Sequence, residues 1–348
     1  MVTRTKKSAV VSFAAAALSA TLAMTLLASP AQAADTGLYG ATPPTFDGVD
    51  RQSKAILGLG AVGVTPARSA VQWLLDQQCA DGSFEPYRAD TSAPCAPGDP
   101  ENFTGPNTNS TAWAAMALKS VGEDRAAMRA ARALIAETQR SGRTAAWPAI
   151  IGGEPDASST GLVVNALEYL DIDTPVAAAG GRWLRQRVIP CGRKYGGAMT
   201  NDPASRAANN FASTQGLLGL TEALPVEGPT TLQADPPCSG AAVTRVSSYL
   251  ARTLNEDGLL TYLGYGDDVD YGSTAVAVVA LGKAGLGRQG VRKAVAALQR
   301  DAREWIATDA GDSVGAAGWL LMVAESTGED PRSFGGVDLV RTITGSIR

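Results

Sequence analysis

Histidine is absent from this chain of 348 residues, and that one gap removes much of ordinary enzyme chemistry. No Ser-His-Asp triad can be assembled, nor any zinc set that needs an imidazole. A phosphate-cradling loop ending in Gly-Lys-Ser/Thr is missing, and no CxxC pair occurs. Positive charge is scarce too. Lys and Arg total 30 against 34 Asp and Glu, and three of the cations, Arg4, Lys6 and Lys7, precede the longest apolar run, Ala14 to Leu27. With Ala31-Gln32-Ala33 after it, that run reads as a secretory signal cleaved after Ala33. The remaining chain then holds 27 basic and 34 acidic residues, a net of −7, which excludes nucleic acid as an expected partner. No second run is long enough to span a membrane. The expected protein is secreted, extracellular or held in the cell envelope.

Residues 34–348 are expected to form a single domain, because an internal repeat runs through them. Five apolar stretches open on a hydroxyl or amide cluster: Asn109-Ser110-Thr111, Ser158-Ser159-Thr160, Ala212-Ser213-Thr214, Gly272-Ser273-Thr274 and Asp312-Ser313. Each interval also carries an amphipathic, Arg-containing helical pattern. Helices that are apolar all round must be enclosed by protein. They are read at Ile56–Val64, Trp113–Leu118, Leu162–Leu170, Leu217–Leu224, Ala275–Leu281 and Val314–Val323. The amphipathic partners are read at Ala67–Gln78, Arg125–Arg140, Val176–Val188, Ala241–Leu254, Arg288–Ile306 and Val337–Ile343. The sequence thus predicts an all-α protein of six inner and six outer helices. The first inner and last outer segments complete the sixth hairpin and close the ring. Ser110, Ser159, Ser213, Ser273 and Asp312 are the expected N-caps of the inner helices. Four cysteines in an exported chain imply two disulfides, and closure of neighbouring loops selects Cys79–Cys95 and Cys191–Cys238.

Ala70-Val71-Gln72-Trp73-Leu74-Leu75-Asp76-Gln77-Gln78 followed by Asp81-Gly82-Ser83-Phe84 resembles the QW repeat of squalene and oxidosqualene cyclases and of protein prenyltransferase β subunits. Fainter copies are Gly181-Arg182-Trp183-Leu184 with Tyr195-Gly196-Gly197, and Tyr249-Leu250 with Asn255-Glu256-Asp257-Gly258. The resemblance implies an α/α toroid with a cavity where the inner helices begin. It does not bring the usual catalytic sets. The prenyltransferase zinc set needs a histidine, and the DxDD acid motif of class II terpene cyclases is missing. So is the Cys-Gly-Glu-Gln thioester of related toroids, since Cys191 is followed by Gly192-Arg193-Lys194.

The nearest approach to an acid motif is Asp267-Asp268-Val269-Asp270-Tyr271, just before an inner helix. Clustered carboxylates can raise one another's proton affinity, hold a cation or face a helix N-terminus. Asp268 and Asp270 are the candidate acids. The expected ligand-contacting set around the mouth is Asn107, Asn109, Trp113, Trp147, Asp156, Ser159, Asn209, Asn210, Phe211, Tyr265, Asp267, Tyr271 and Asp312. Amides and carboxylates interleaved with rings suit an uncharged or cationic ligand with apolar faces. No metal site or cofactor is expected. The reading is a non-catalytic toroid binding a terpenoid, corrinoid or glycan, with a cyclase-like or lyase enzyme and a surface scaffold as alternatives.

Overall fold

The computed structural model describes residues 36–172, 175–263, 266 and 268–348. The expected signal segment, Tyr265 and Asp267 lie outside the described residues. Twelve helices alternate along them in two series. The inner series is α1 (Gly48–Ala61), α3 (Thr108–Ser120), α5 (Ala157–Tyr169), α7 (Asn210–Thr221), α9 (Tyr271–Ala284) and α11 (Val314–Thr327). Outside them lie α2 (Arg68–Asp76), α4 (Asp124–Ala136), α6 (Pro175–Arg185), α8 (Ala242–Asp257), α10 (Arg288–Ile306) and α12 (Leu339–Thr344). Each inner helix packs on the next inner helix in the chain, and α11 packs on α1, so the ring is closed. This is an all-α, α/α toroid. Three short antiparallel ribbons, β1–β2 (Gln139–Ser141 with Thr144–Ala146), β3–β4 (Leu260–Thr261 with Val269–Asp270) and β5–β6 (Ala307–Thr308 with Gly311–Asp312), lead into α5, α9 and α11.

Composition explains the closeness of the inner ring. A Cβ added to Gly318 would lie 2.4 Å from the Lys54 carbonyl oxygen, and one on Gly58 2.5 Å from that of Gly318. At α5–α7 a Cβ on Gly161 would meet the Gln215 carbonyl at 2.2 Å. Glycine is required at these crossings because backbone touches backbone. The ring is also tied where its two ends meet. Tyr39 bridges Ile347, the Arg348 amide donates to the Leu38 carbonyl at 3.1 Å, and buried Gln52 bonds Tyr39, Gly37 and Ala70.

The hydroxyl repeat has a structural cause that differs from the expected one. The N-caps are Asn107, Asp156, Asn209, Asp270 and Ser313, one to four residues from the expected positions. The hydroxyls that follow them hold the incoming loops. Thr111 Oγ1 accepts the Phe84 amide at 3.0 Å, Thr160 Oγ1 that of Trp147 at 3.0 Å, Ser213 Oγ that of Met199 at 2.9 Å and Thr274 Oγ1 that of Leu260 at 2.9 Å. The loops after α2, α4, α6 and α8 are thereby pinned to the second turn of the next inner helix. Both expected disulfides form, with Cα–Cα distances of 5.7 Å for Cys79–Cys95 and 5.6 Å for Cys191–Cys238. No helix among the described residues is long and apolar enough to cross a membrane.

Candidate functional site

The inner helices all present their N-terminal ends to one cavity of about 370 Å³. Its wall follows a simple register. Residues two and six past each N-cap lie on one helix face, a turn apart. They give Asn109 and Trp113 on α3, Ser158 and Leu162 on α5, Phe211 and Gln215 on α7, Gly272 and Val276 on α9, and Gly315 and Trp319 on α11. On α1 the same face is one residue displaced, with Asp50 and Lys54 in the wall and Asp47 and Arg51 beside them. The upper tier is therefore polar or small apart from Phe211. The lower tier is mostly apolar, with Trp113 and Trp319 edge to face at 5.4 Å between centroids.

Charge is unevenly shared around this wall. Lys54 Nζ stands 5.2 Å from the centre of the Trp113 ring and 3.8 Å from Asp50 Oδ2. The other oxygen of Asp50 accepts from Ser110 Oγ at 2.7 Å. Arg51 is almost fully buried and donates to the Thr42 and Pro43 carbonyls and to Asp47. Across the mouth, Asp270 is 4% exposed and accepts the Ser273 amide at 2.8 Å. Burial holds its carboxyl above the usual carboxylate range, opposed by the hydroxyl and amide of Ser273 and the amide of Gly272. Asn109 Oδ1 and Gln215 Oε1 are enclosed and have no hydrogen-bond partner among the described residues. Such orphaned acceptors are rare in folded proteins and mark a place for a bound donor or water.

Of the residues expected from the sequence, Asn109, Trp113, Phe211 and Asp270 line this cavity. The rest of the described ones are engaged elsewhere. Asn107, Asp156 and Asn209 accept first-turn amides as caps. Ser159 donates to Asp156, whose carboxyl is raised by burial and drawn back down by Ser158 and Ser159. Trp147 is fully buried and its indole donates to the Leu134 carbonyl at 2.7 Å. Asn210 accepts from the Tyr249 hydroxyl at 2.7 Å, a phenol that burial pushes up to about 12. Tyr271 stacks on Trp305 at 5.7 Å, Asp312 pairs with Arg303 at 3.1 Å, and Asp268 is exposed on the turn before β4. Sequence reasoning missed Asp47, Asp50, Arg51, Lys54, Trp319, Trp305 and Tyr262, all in the wall. A signal for the first four existed, since spacings of three, one and three place them on one stripe of a helix. Glu85 lies near the sulfurs of Cys79 and Cys95, but these are joined as a disulfide and offer no thiolate to a metal.

No protein-family model matches the chain, and no curated protein matches it in sequence. Solved structures do resemble it in shape. A novel α-amylase from Clostridium perfringens superposes with a TM-score of 0.53 at 11% identity, over 80% of this chain and 86% of that one. A protein from Actinoplanes gives 0.48 at 14% identity, over 83% of this chain and 92% of that one. The type II terpene cyclase MstE from Scytonema gives 0.47 at 12% identity, over 79% and 74%. Identities this low concern the fold alone, and the toroid it hosts is compatible with many chemistries.

Proposed function

We propose that the chain is an exported binding protein that takes one compact small molecule at the common mouth of its inner helices. The supporting observation is the two-tier wall. Its volume is within the range of small-molecule sites, its lower tier carries the Trp113–Trp319 pair, and its upper tier leaves room at Gly272. Gln215 and Asn109 bring acceptors that are unmatched among the described residues. A terpenoid fragment or a short glycan is of suitable size, whereas a corrinoid would rest across the rim. Export rests on the leader pattern and is compatible with the two disulfides.

The test is native mass spectrometry of the protein recovered from culture medium. A molecule bound one to one and lost in Gly272→Leu is the expected result. No backbone or side chain crowds a Cβ at Gly272 beyond ordinary contact, at 3.4 Å from Asp270 Oδ1, so this variant fills the mouth without disturbing the helix. Protein that emerges empty, and whose tryptophan fluorescence is unmoved by an extract of its own culture, refutes the reading. A second reading, acid catalysis, draws on Asp270 alone. A buried carboxyl with raised proton affinity beside aromatic rings has the character of a general acid. Turnover of the recovered molecule by the native chain but not by Asp270→Asn would select that reading over binding.

A further inference from the structure

The two halves of the mouth are built alike but are unequally neutralised. On the α1/α3 side a carboxylate, Asp50, and an aromatic face, Trp113, are already served by an ammonium, that of Lys54. The α7/α9 side has the same ingredients without a cation among the described residues. Asp270 is buried there, Gln215 is 5% exposed with its Oε1 unpartnered among the described residues, and Phe211 and Tyr262 are 41% and 46% exposed. Trp305 completes that side of the wall. The cations of the wall, Lys54 and Arg51, both belong to α1, and both are engaged there. Arg300 and Arg303 on α10 are paired with Asp301 and Asp312 and do not line the cavity. Asp270 has no ion-pair partner among the described residues. A buried carboxylate without a counter-charge is costly, and one facing aromatic rings is the usual complement of an organic cation.

We propose that the α7/α9 side of the mouth is an ammonium subsite, so that the ligand carries a protonated amine on a cyclic or apolar body. The ammonium meets Asp270 and Gln215, and the body lies against Phe211, Tyr262 and Trp305. Lys54 marks the matching position on the opposite side, where the protein supplies the cation itself. This inference rests on the reading of the mouth as a binding site.

The experiment compares two probes of equal shape, cyclohexylamine and cyclohexanol, at pH 7 by calorimetric titration of the full chain. The amine is expected to bind about tenfold more tightly than the alcohol. In Asp270→Asn the preference falls to about twofold or less, while the cap is kept because Asn is as good an N-cap as Asp. Phe211→Ala, at an exposed position, lowers the amine's affinity about threefold. Equal binding of the probes, a preference that survives Asp270→Asn, or binding of neither probe overturns the ammonium subsite. A neutral molecule recovered from the native protein, with no preference between probes, leaves the mouth a binding site and removes only the ammonium. Empty protein that responds to neither probe removes both.

Discussion

Asp270 carries two duties that conflict, and its titration separates them. As the cap of α9 it accepts the Ser273 amide, where a negative charge is favoured by the helix end. As a buried group without a cation it favours the neutral form, and burial is the larger influence. The folded state therefore holds the Asp270 proton more tightly than the unfolded chain, whose carboxyl sits at the ordinary value of 3.8. This group weakens the fold above its raised pKa, and the weakening is relieved as the pH falls from that raised value towards 3.8. Asp270→Asn is expected to raise the urea midpoint at pH 7 and to lose most of that advantage by about pH 4. A variant less stable than the parent at pH 7, with the deficit shrinking towards pH 4, would mean that the charge is needed for capping. The sequence placed Asp270 before an inner helix but also put Trp147 and Asp312 at the mouth. Chain order alone does not say which of two adjacent groups turns inward: Trp147 turns into the layer between α4 and α5, and Asp312 turns out to Arg303.

At the scale of elements the repeat was legible because each inner helix is apolar on every side, and its boundaries were less so. Asp50, Arg51 and Lys54 interrupt the apolar run in the first turns of α1, so the expected helix begins at Ile56 rather than Gly48. Thr138 to Arg140 looked like the end of an outer helix and instead begin the β1–β2 ribbon. The hydroxyl clusters read as caps because Ser and Thr are common there. Their repeated partner, the amide of a loop residue distant in sequence, is visible only in three dimensions. That partner makes a quantitative contrast between neighbouring threonines. Thr274→Val leaves the enclosed Leu260 amide without an acceptor and is expected to cost about 1–3 kcal/mol. Thr214→Val removes only a back-bond to the Phe211 carbonyl of its own helix and should cost less than about 1 kcal/mol. Chemical denaturation of the two variants decides the point, and similar losses would deny the hydroxyls their role in holding the loops.

Closure is a property of the whole ring, and it makes one junction different in kind. Five contacts between inner helices join hairpins that follow each other in the chain, while α11 on α1 joins the last to the first. A displacement at that junction cannot be absorbed locally: it either opens the ring or changes the width of the mouth that α1 and α11 both line. The crossing is set by Gly318, where a Cβ would stand 2.4 Å from the Lys54 carbonyl. Lys54 is itself part of the wall, so the same contact that closes the ring also places the ammonium over Trp113. Gly318→Ala is therefore expected to destabilise by roughly 1–3 kcal/mol through overpacking, and to broaden the fluorescence of Trp113 and Trp319. Gly60→Ala on α1 provides the opposite case, since nothing lies within 4 Å of a Cβ there. In open space the same substitution should stabilise the helix by about 0.5–1 kcal/mol, because alanine loses less backbone freedom on folding. Thermal midpoints moving in opposite directions for these two variants are the expected result. A Gly318→Ala protein as stable as its parent would mean that α1 and α11 are not in backbone contact, and that the ring is held shut by its terminal segments instead.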